Sequence, residues 1–323
     1  MKALSKQIIE TYEKNIFWLT PYKLGHFFTR AYKITGDEKY KNILSYFMLL
    51  NNPDTLEKFF NSIKKGSFKY QAKKNNLCSR PRIKERYLYY QQNPKAKLYL
   101  DVLQYLIYVD KFNLWDLFIP GKKKGLISIF KKEDFEKIFL NEEAIKTNGS
   151  YVFNALAILN KLEVCDLTKK ALVIFKNIYF DEKFLIKKKL TTDDLISLFY
   201  SLTHIIIADT FYYERYCKKY DWIIKFFSKN LEFVIKNSTD DLLAEIGLCF
   251  KLCKKENEFR KEFVKIKRIV YARFSFEKTS DKKTIVAKEH MSSIIALLFS
   301  HNSNFFHGPD LSKNETIQKW SKY

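Results

Sequence analysis

Glycine and proline are scarce, at 8 and 6 in 323 residues. Turn-rich β architectures use both freely, so the shortage disfavours them and leaves an all-α chain as the expectation. Cysteine is little used: Cys78, Cys165, Cys217, Cys249 and Cys253 make an odd count with no framework spacing. They read as reduced thiols in a cytoplasmic compartment, with a mature exported form whose signal has been removed as the alternative. No apolar run approaches a membrane span, and the opening MKALSKQIIETYEKN has no apolar signal core. A phosphate-binding glycine loop, a serine elbow and a zincin signature are all missing, and no cofactor is expected.

Arginine is the last shortage. The formal net charge is +22, yet only 8 of the 58 basic residues are Arg. The lysine pairs, such as Lys64-Lys65, Lys131-Lys132 and Lys282-Lys283, are scattered along the chain. That pattern is a solvated basic surface, which binds nucleic acid weakly and without sequence preference, and loses it with salt. Arg80, Arg82 and Arg86 form one local cluster, read as a surface loop beside Pro81, with anion binding as the alternative.

Hydrophobic residues make up 46% of the chain, with 29 Phe and 21 Tyr, enough for a sizeable core. Their spacing is helical. The clearest segment, 192–215, begins Thr192-Asp193-Asp194, which suits a helix start. At about 100° per residue, Ser197, Tyr200, Ser201, His204, Ala208, Tyr212 and Arg215 share one arc, and Leu195, Leu198, Leu202, Ile205 and Ile206 the other. This predicts a helix over 192–215 with an apolar back and a polar front facing a cavity. Ser201→Trp and Ala208→Trp should then be tolerated, whereas Leu202→Ala should be costly. On 98–118 the same wheel aligns Asp101, Tyr105, Tyr108 and Trp115; on 22–34 it aligns Tyr22, His26, Arg30 and Lys33. Further helices are expected over 3–19, 221–237 and 256–274, with a break at Asn148-Gly149. Residues 66–97 read as an irregular excursion carrying some helix from 83 to 91.

The opening Thr-Asp-Asp-Leu recurs at 239–242, 47 residues on. A period in the forties built from two helices is the signature of stacked helical hairpins. The expectation is one α/α-hairpin repeat domain over 1–323, closed into an α/α toroid, with an open α-solenoid as the alternative. The blocks GHFFTRAYKITGDEKY, LTHIIIADTFYYER, DLLAEIGLCFKL and KEHMSSIIALLFS, with GPDL nearby, resemble in their order and spacing an uncharacterised bacterial domain family of unknown function. The resemblance leaves 50–97 unmatched, implies an α/α toroid, and supplies no reaction or catalytic residue.

Convergent fronts would gather carboxylates, histidines and aromatics in one cavity, a lining that suits sugars. The expected catalytic residues are Glu245, His204 and Asp241. The expected ligand-binding residues are Tyr105, Tyr108, Trp115, Asp101, His26, Arg30, Arg215 and Glu289. The leading expectation is a carbohydrate-active hydrolase, lyase or epimerase working through carboxylates on a small-molecule or glycan ligand. A helical scaffold holding a peptide or protein, and nucleic-acid binding by the basic surface, are the alternatives. His204 and the Glu289-His290 pair each have a plainer reading as satisfied structural groups. Asp110 and Asp209 fall among apolar positions and should pair with a neighbouring element. Cys249 and Cys253, one helical turn apart, are weighed with His290 or His301 as metal ligands, and no metal site is expected.

Overall fold

The computed structural model describes residues 2–50, 54–71, 73, 80–118, 121, 123–181, 185–187, 190–274, 281–300 and 305–320. The fold is all-α: among these residues the only β pairing is one isolated antiparallel bridge between Phe180 and Ile186. The chain forms two compact units, one from 1–52, 111–117 and 209–323, the other from 53–110 and 118–208.

The first unit is built around the Lys282–Phe299 helix, which packs against Lys2–Lys14, Pro21–Thr35, Asp240–Leu252 and Arg260–Arg273. Asp281 caps it, its carboxylate accepting from the Thr284 amide at 2.9 Å. Every residue from Ser292 to Phe299 is buried, as is every residue from Leu242 to Leu252 on the neighbouring helix. Helices apolar on all sides belong in a core. Gly247 lets them approach, since a Cβ there would lie 2.8 Å from Leu298 Cδ1 and 3.1 Å from Ile266 Cγ2. A charged residue within either buried stretch must be paired.

In the second unit the Glu142–Lys161 helix packs against Pro81–Gln92, Phe135–Phe139 and Thr168–Tyr179. Phe59, Tyr99, Phe130 and Phe135 form an edge-to-face cluster beside them. The expected break at Asn148-Gly149 is a kink inside one helix, with Asn148 at φ −131°, ψ 18°.

Other boundaries also move. The segment expected to be helical over 192–215 ends at Asp209, and Phe211, Tyr212 and Tyr213 follow with positive φ. Its start is capped by Thr191, whose hydroxyl accepts from the Asp194 amide while Asp194 accepts from the Thr191 amide. The expected 221–237 helix is split into Asp221–Lys229 and Leu231–Lys236, and 256–274 shortens to Arg260–Arg273. Within the excursion at 66–97, Pro81–Gln92 and the start of Pro94–Lys111 are helical. Residues 72 and 74–79, with Cys78, lie outside the described residues.

The face assignment on Thr192–Asp209 needs correction. Ser201 and Ala208 are as buried as Leu202, because the supposed front packs on protein: a Cβ on Gly149 would lie 2.3 Å from Ser201 Oγ. A tryptophan at Ser201 has no room.

Candidate acid–base site

Glu245 and Glu289 sit on Asp240–Leu252 and Lys282–Phe299, each with a side chain only 2% exposed. Two carboxyls so placed require partners, and two histidines supply them. His26, from Pro21–Thr35, brings Nδ1 to 2.7 Å from Glu289 Oε1. His290 stacks on His26 with ring centroids 5.1 Å apart, its Nδ1 3.4 Å from His26 Nε2. On the other side, His290 Nε2 lies 3.5 Å from Glu245 Oε1. The four side chains make one chain of contacts, Glu289–His26–His290–Glu245.

Arg30, one helical turn beyond His26, donates from Nη1 to the His26 carbonyl at 3.0 Å and is bonded to the buried Tyr213 hydroxyl. Burial pushes the Glu289 carboxyl up to about 7, against the opposing pull of Arg30, His290 and Lys23. Burial also holds His26 well below the usual imidazole range, and the nearby Arg30 charge adds to this. Both shifts favour a neutral pair, with the proton on Glu289 donated to His26 Nδ1. The network then assigns every tautomer: His26 Nε2–H points to His290 Nδ1, and His290 Nε2–H to the Glu245 carboxylate. In this arrangement each donor faces the next acceptor along the chain.

The chain reaches the surface at His290, whose side chain is 45% exposed. Its contacts of 3.4 and 3.5 Å are long for hydrogen bonds, so the ring is held more loosely than His26. Tyr22 stacks on His26 at 5.9 Å with its ring exposed, completing a series of three aromatic rings.

The other expected site residues lie elsewhere. Asp241 stands in the first turn of Asp240–Leu252, half-buried, where an acid suits the helix dipole. Arg215 is not helical; its Nε donates to the Asp209 carbonyl at 2.7 Å. Trp115 starts a short helix, Trp115–Phe118, and is buried in the first unit. His204, Tyr105, Tyr108 and Asp101 belong to the second unit. There His204 Nδ1 meets Asn154 Oδ1 at 3.0 Å, Tyr105 is buried, Tyr108 is half-buried, and Asp101 is exposed and paired with Lys97. Asp110 pairs with Lys161, and Asp209 with Lys219 at 3.2 Å, as expected of acids among apolar positions.

Cys165, Cys217, Cys249 and Cys253 are free thiols. Burial raises Cys249 and Cys253, which keeps them protonated and poor as ligands. Among the described residues no three His, Cys, Asp or Glu side chains converge as metal ligands would; His301 lies outside them. Reasoning from the sequence missed His290 as the link of the chain, and missed Tyr22 and Tyr213. Tyr22 was on the expected face with His26; Tyr213 depends on a turn that has no sequence mark.

No curated protein and no solved structure matches the chain significantly. Residues 1–322 match a family described as a domain of unknown function, DUF3541. The chain belongs to the DUF3541 family.

Proposed function

We propose that the Glu289–His26–His290–Glu245 chain is the proton-transfer centre of an enzyme acting on a hydroxyl-rich small molecule, in the first place a carbohydrate. The observation that supports this most is the chain's continuity and direction: an acid at one end, a carboxylate at the other, two imidazoles between them, and one imidazole at the surface. A proton entering at His290 is passed on to a carboxylate, and the reverse movement returns it, so one group serves as general base and then general acid. A Glu289 carboxyl titrating at about 7 is matched to such exchange at neutral pH.

The residue that touches substrate in this reading is His290. His26, Glu289 and Glu245 are positioning residues that hold its tautomer and store its proton, and the Tyr22 ring offers a stacking face for the CH side of a sugar. Both carboxyls are buried behind imidazoles. This argues against a hydrolase in which two carboxylates flank the scissile bond directly, and for a lyase or epimerase that moves a proton on carbon or oxygen. In an epimerisation the proton removed from carbon is replaced by another on the opposite face, and no other atom is gained or lost.

The test is incubation of a panel of neutral and acidic sugars in heavy water, followed by NMR for deuterium incorporation or turnover. Wild type should exchange at least one sugar, and His290→Gln and Glu289→Gln should lose that exchange while keeping the fold. An inert wild type across the panel, or variants as active as wild type, would overturn the proposal.

A further inference from the structure

The first unit holds a second candidate site, on the far side of the Tyr213 that Arg30 bonds. The turn after Asp209 and the segment before Gly308 enclose a pocket of about 540 Å³, lined by 213–216, Lys254 and 305–307. That volume suits a small molecule. Its walls are aromatic, with Tyr213 edge-to-face on Phe305 at 5.9 Å and the exposed Phe306 ring beside them. Its charged groups are Arg215, Lys254 and Glu214, with the His307 ring beside them and Lys254 Nζ 4.1 Å from the Tyr216 ring centroid.

The acids nearby do not cancel that charge. Glu214 already faces the buried Lys33, Lys111 at 3.8 Å and His307 at 3.4 Å. Asp209 is shared between Lys219 and Arg215. Glu256 acts on Tyr216 but also on the buried Lys251. Lys33 and Lys111 oppose Glu214, and Lys219 shares Asp209 with Arg215, so the acids are met by lysines outside the pocket as well as by Arg215.

The pocket is also held in shape at a cost. Phe211, Tyr212 and Tyr213 have φ of 55°, 55° and 75°, a region that bulky side chains rarely adopt. The amides of Glu214 and Arg215 both close on the Thr210 carbonyl, at 2.9 and 3.1 Å. The Phe306 amide is tied to the Lys33 carbonyl at 3.0 Å, and its ring packs where a Cβ on Gly36 would stand, 2.7 Å away.

We infer that this pocket binds a nucleoside monophosphate, the base stacked on the Tyr216 and Phe306 rings and the phosphate held by Arg215 and Lys254. Aromatic walls recognise a flat π face whatever the base, and a guanidinium beside an ammonium recognises phosphate. An anion without a flat face would leave the aromatic walls unused.

The experiment is calorimetric titration at physiological salt with AMP, adenosine and inorganic phosphate, on wild type and on an Arg215→Gln/Lys254→Gln variant. AMP should bind saturably, with adenosine and phosphate each weaker by about tenfold or more. The variant should keep its melting temperature and lose AMP affinity by about tenfold or more. If the variant does not fold, Phe306→Leu takes its place and should weaken AMP and leave phosphate unchanged. Absence of saturable AMP binding, equal affinity for phosphate, or unchanged affinity in the variants overturns the inference. The readout is binding alone, so it stands or falls apart from the acid–base proposal.

Discussion

His26 and His204 are alike in the sequence and unlike in the fold. Each sits on the polar side of a long helix, one in each unit. Each presents Nδ1 to one oxygen, but for His204 the partner is the Asn154 amide at 3.0 Å and for His26 the Glu289 carboxyl at 2.7 Å. An amide oxygen fixes a tautomer and does nothing more. A buried carboxyl can give up and take back a proton, and His290, stacked on His26, reaches the surface. A histidine's chemistry is decided by its partner, and the partner comes from another helix.

The largest effect that would break this contrast is on turnover. Glu289→Gln should cut a proton-transfer activity by about 10²–10⁴, the usual worth of general acid–base catalysis. His204→Gln should leave the rate per folded molecule near wild type. Equal losses in steady-state assays, or a loss only at His204, would reverse the roles given to the two histidines.

The next effect is on stability. Leu202, two residues from His204, is fully buried, and Leu202→Ala should cost about 2–5 kcal/mol in denaturant unfolding. Ser201→Trp should fail to give folded protein, because Ser201 packs on Gly149. Folded Ser201→Trp would restore the open front that the sequence predicts.

The pH dependence separates the two regions further. Burial raises the Glu289 carboxyl from 4.5 to about 7, so folding favours its protonated form. The stability this contributes is fully present below pH 4.5 and is lost as the pH rises through about 7, a loss of about 3 kcal/mol. His26, held low, works in the opposite sense: its contribution is present above the normal imidazole range and is lost as the pH falls below it. Comparison with Glu289→Gln isolates the carboxyl. Between pH 4.5 and 7 wild type should lose stability relative to that variant, and parallel curves would show that Glu289 is ionised throughout.

Much of this was legible in the sequence, for reasons that also set the limits. Helical spacing with few glycines and prolines marked the all-α class, and the polar positions of the wheels picked out His26, Arg30, Glu245 and Glu289, which the first unit brings together. Periodicity says which residues share a face but not what that face meets. Ser201 and Ala208 therefore read as cavity-lining when they are packed against protein. His204, on the same wheel as Ser201, read as a partner of Glu245 but meets Asn154 in the other unit. The early end of the helix at Asp209 was hidden because the chain turns through Phe211, Tyr212 and Tyr213 without glycine. His290 was visible beside Glu289, but only the stacking on His26 distinguishes it from a structural histidine.

The smallest effect is the most discriminating. A double-mutant cycle on Asn154→Ala and His204→Ala should give a coupling of about 0.5–1.5 kcal/mol, the net worth of one neutral hydrogen bond. Removing either partner leaves the other with a single unmet polar contact, so the coupling should be small. The same cycle on Glu289→Ala and His26→Ala joins two groups whose protonation is linked, and its coupling should exceed the first and change with pH between 4.5 and 7. Urea unfolding of the seven proteins at two pH values decides the matter. If the His26 cycle is as small and as insensitive to pH as the His204 cycle, Glu289 is only an acceptor that fixes a tautomer, and the two histidines are alike after all.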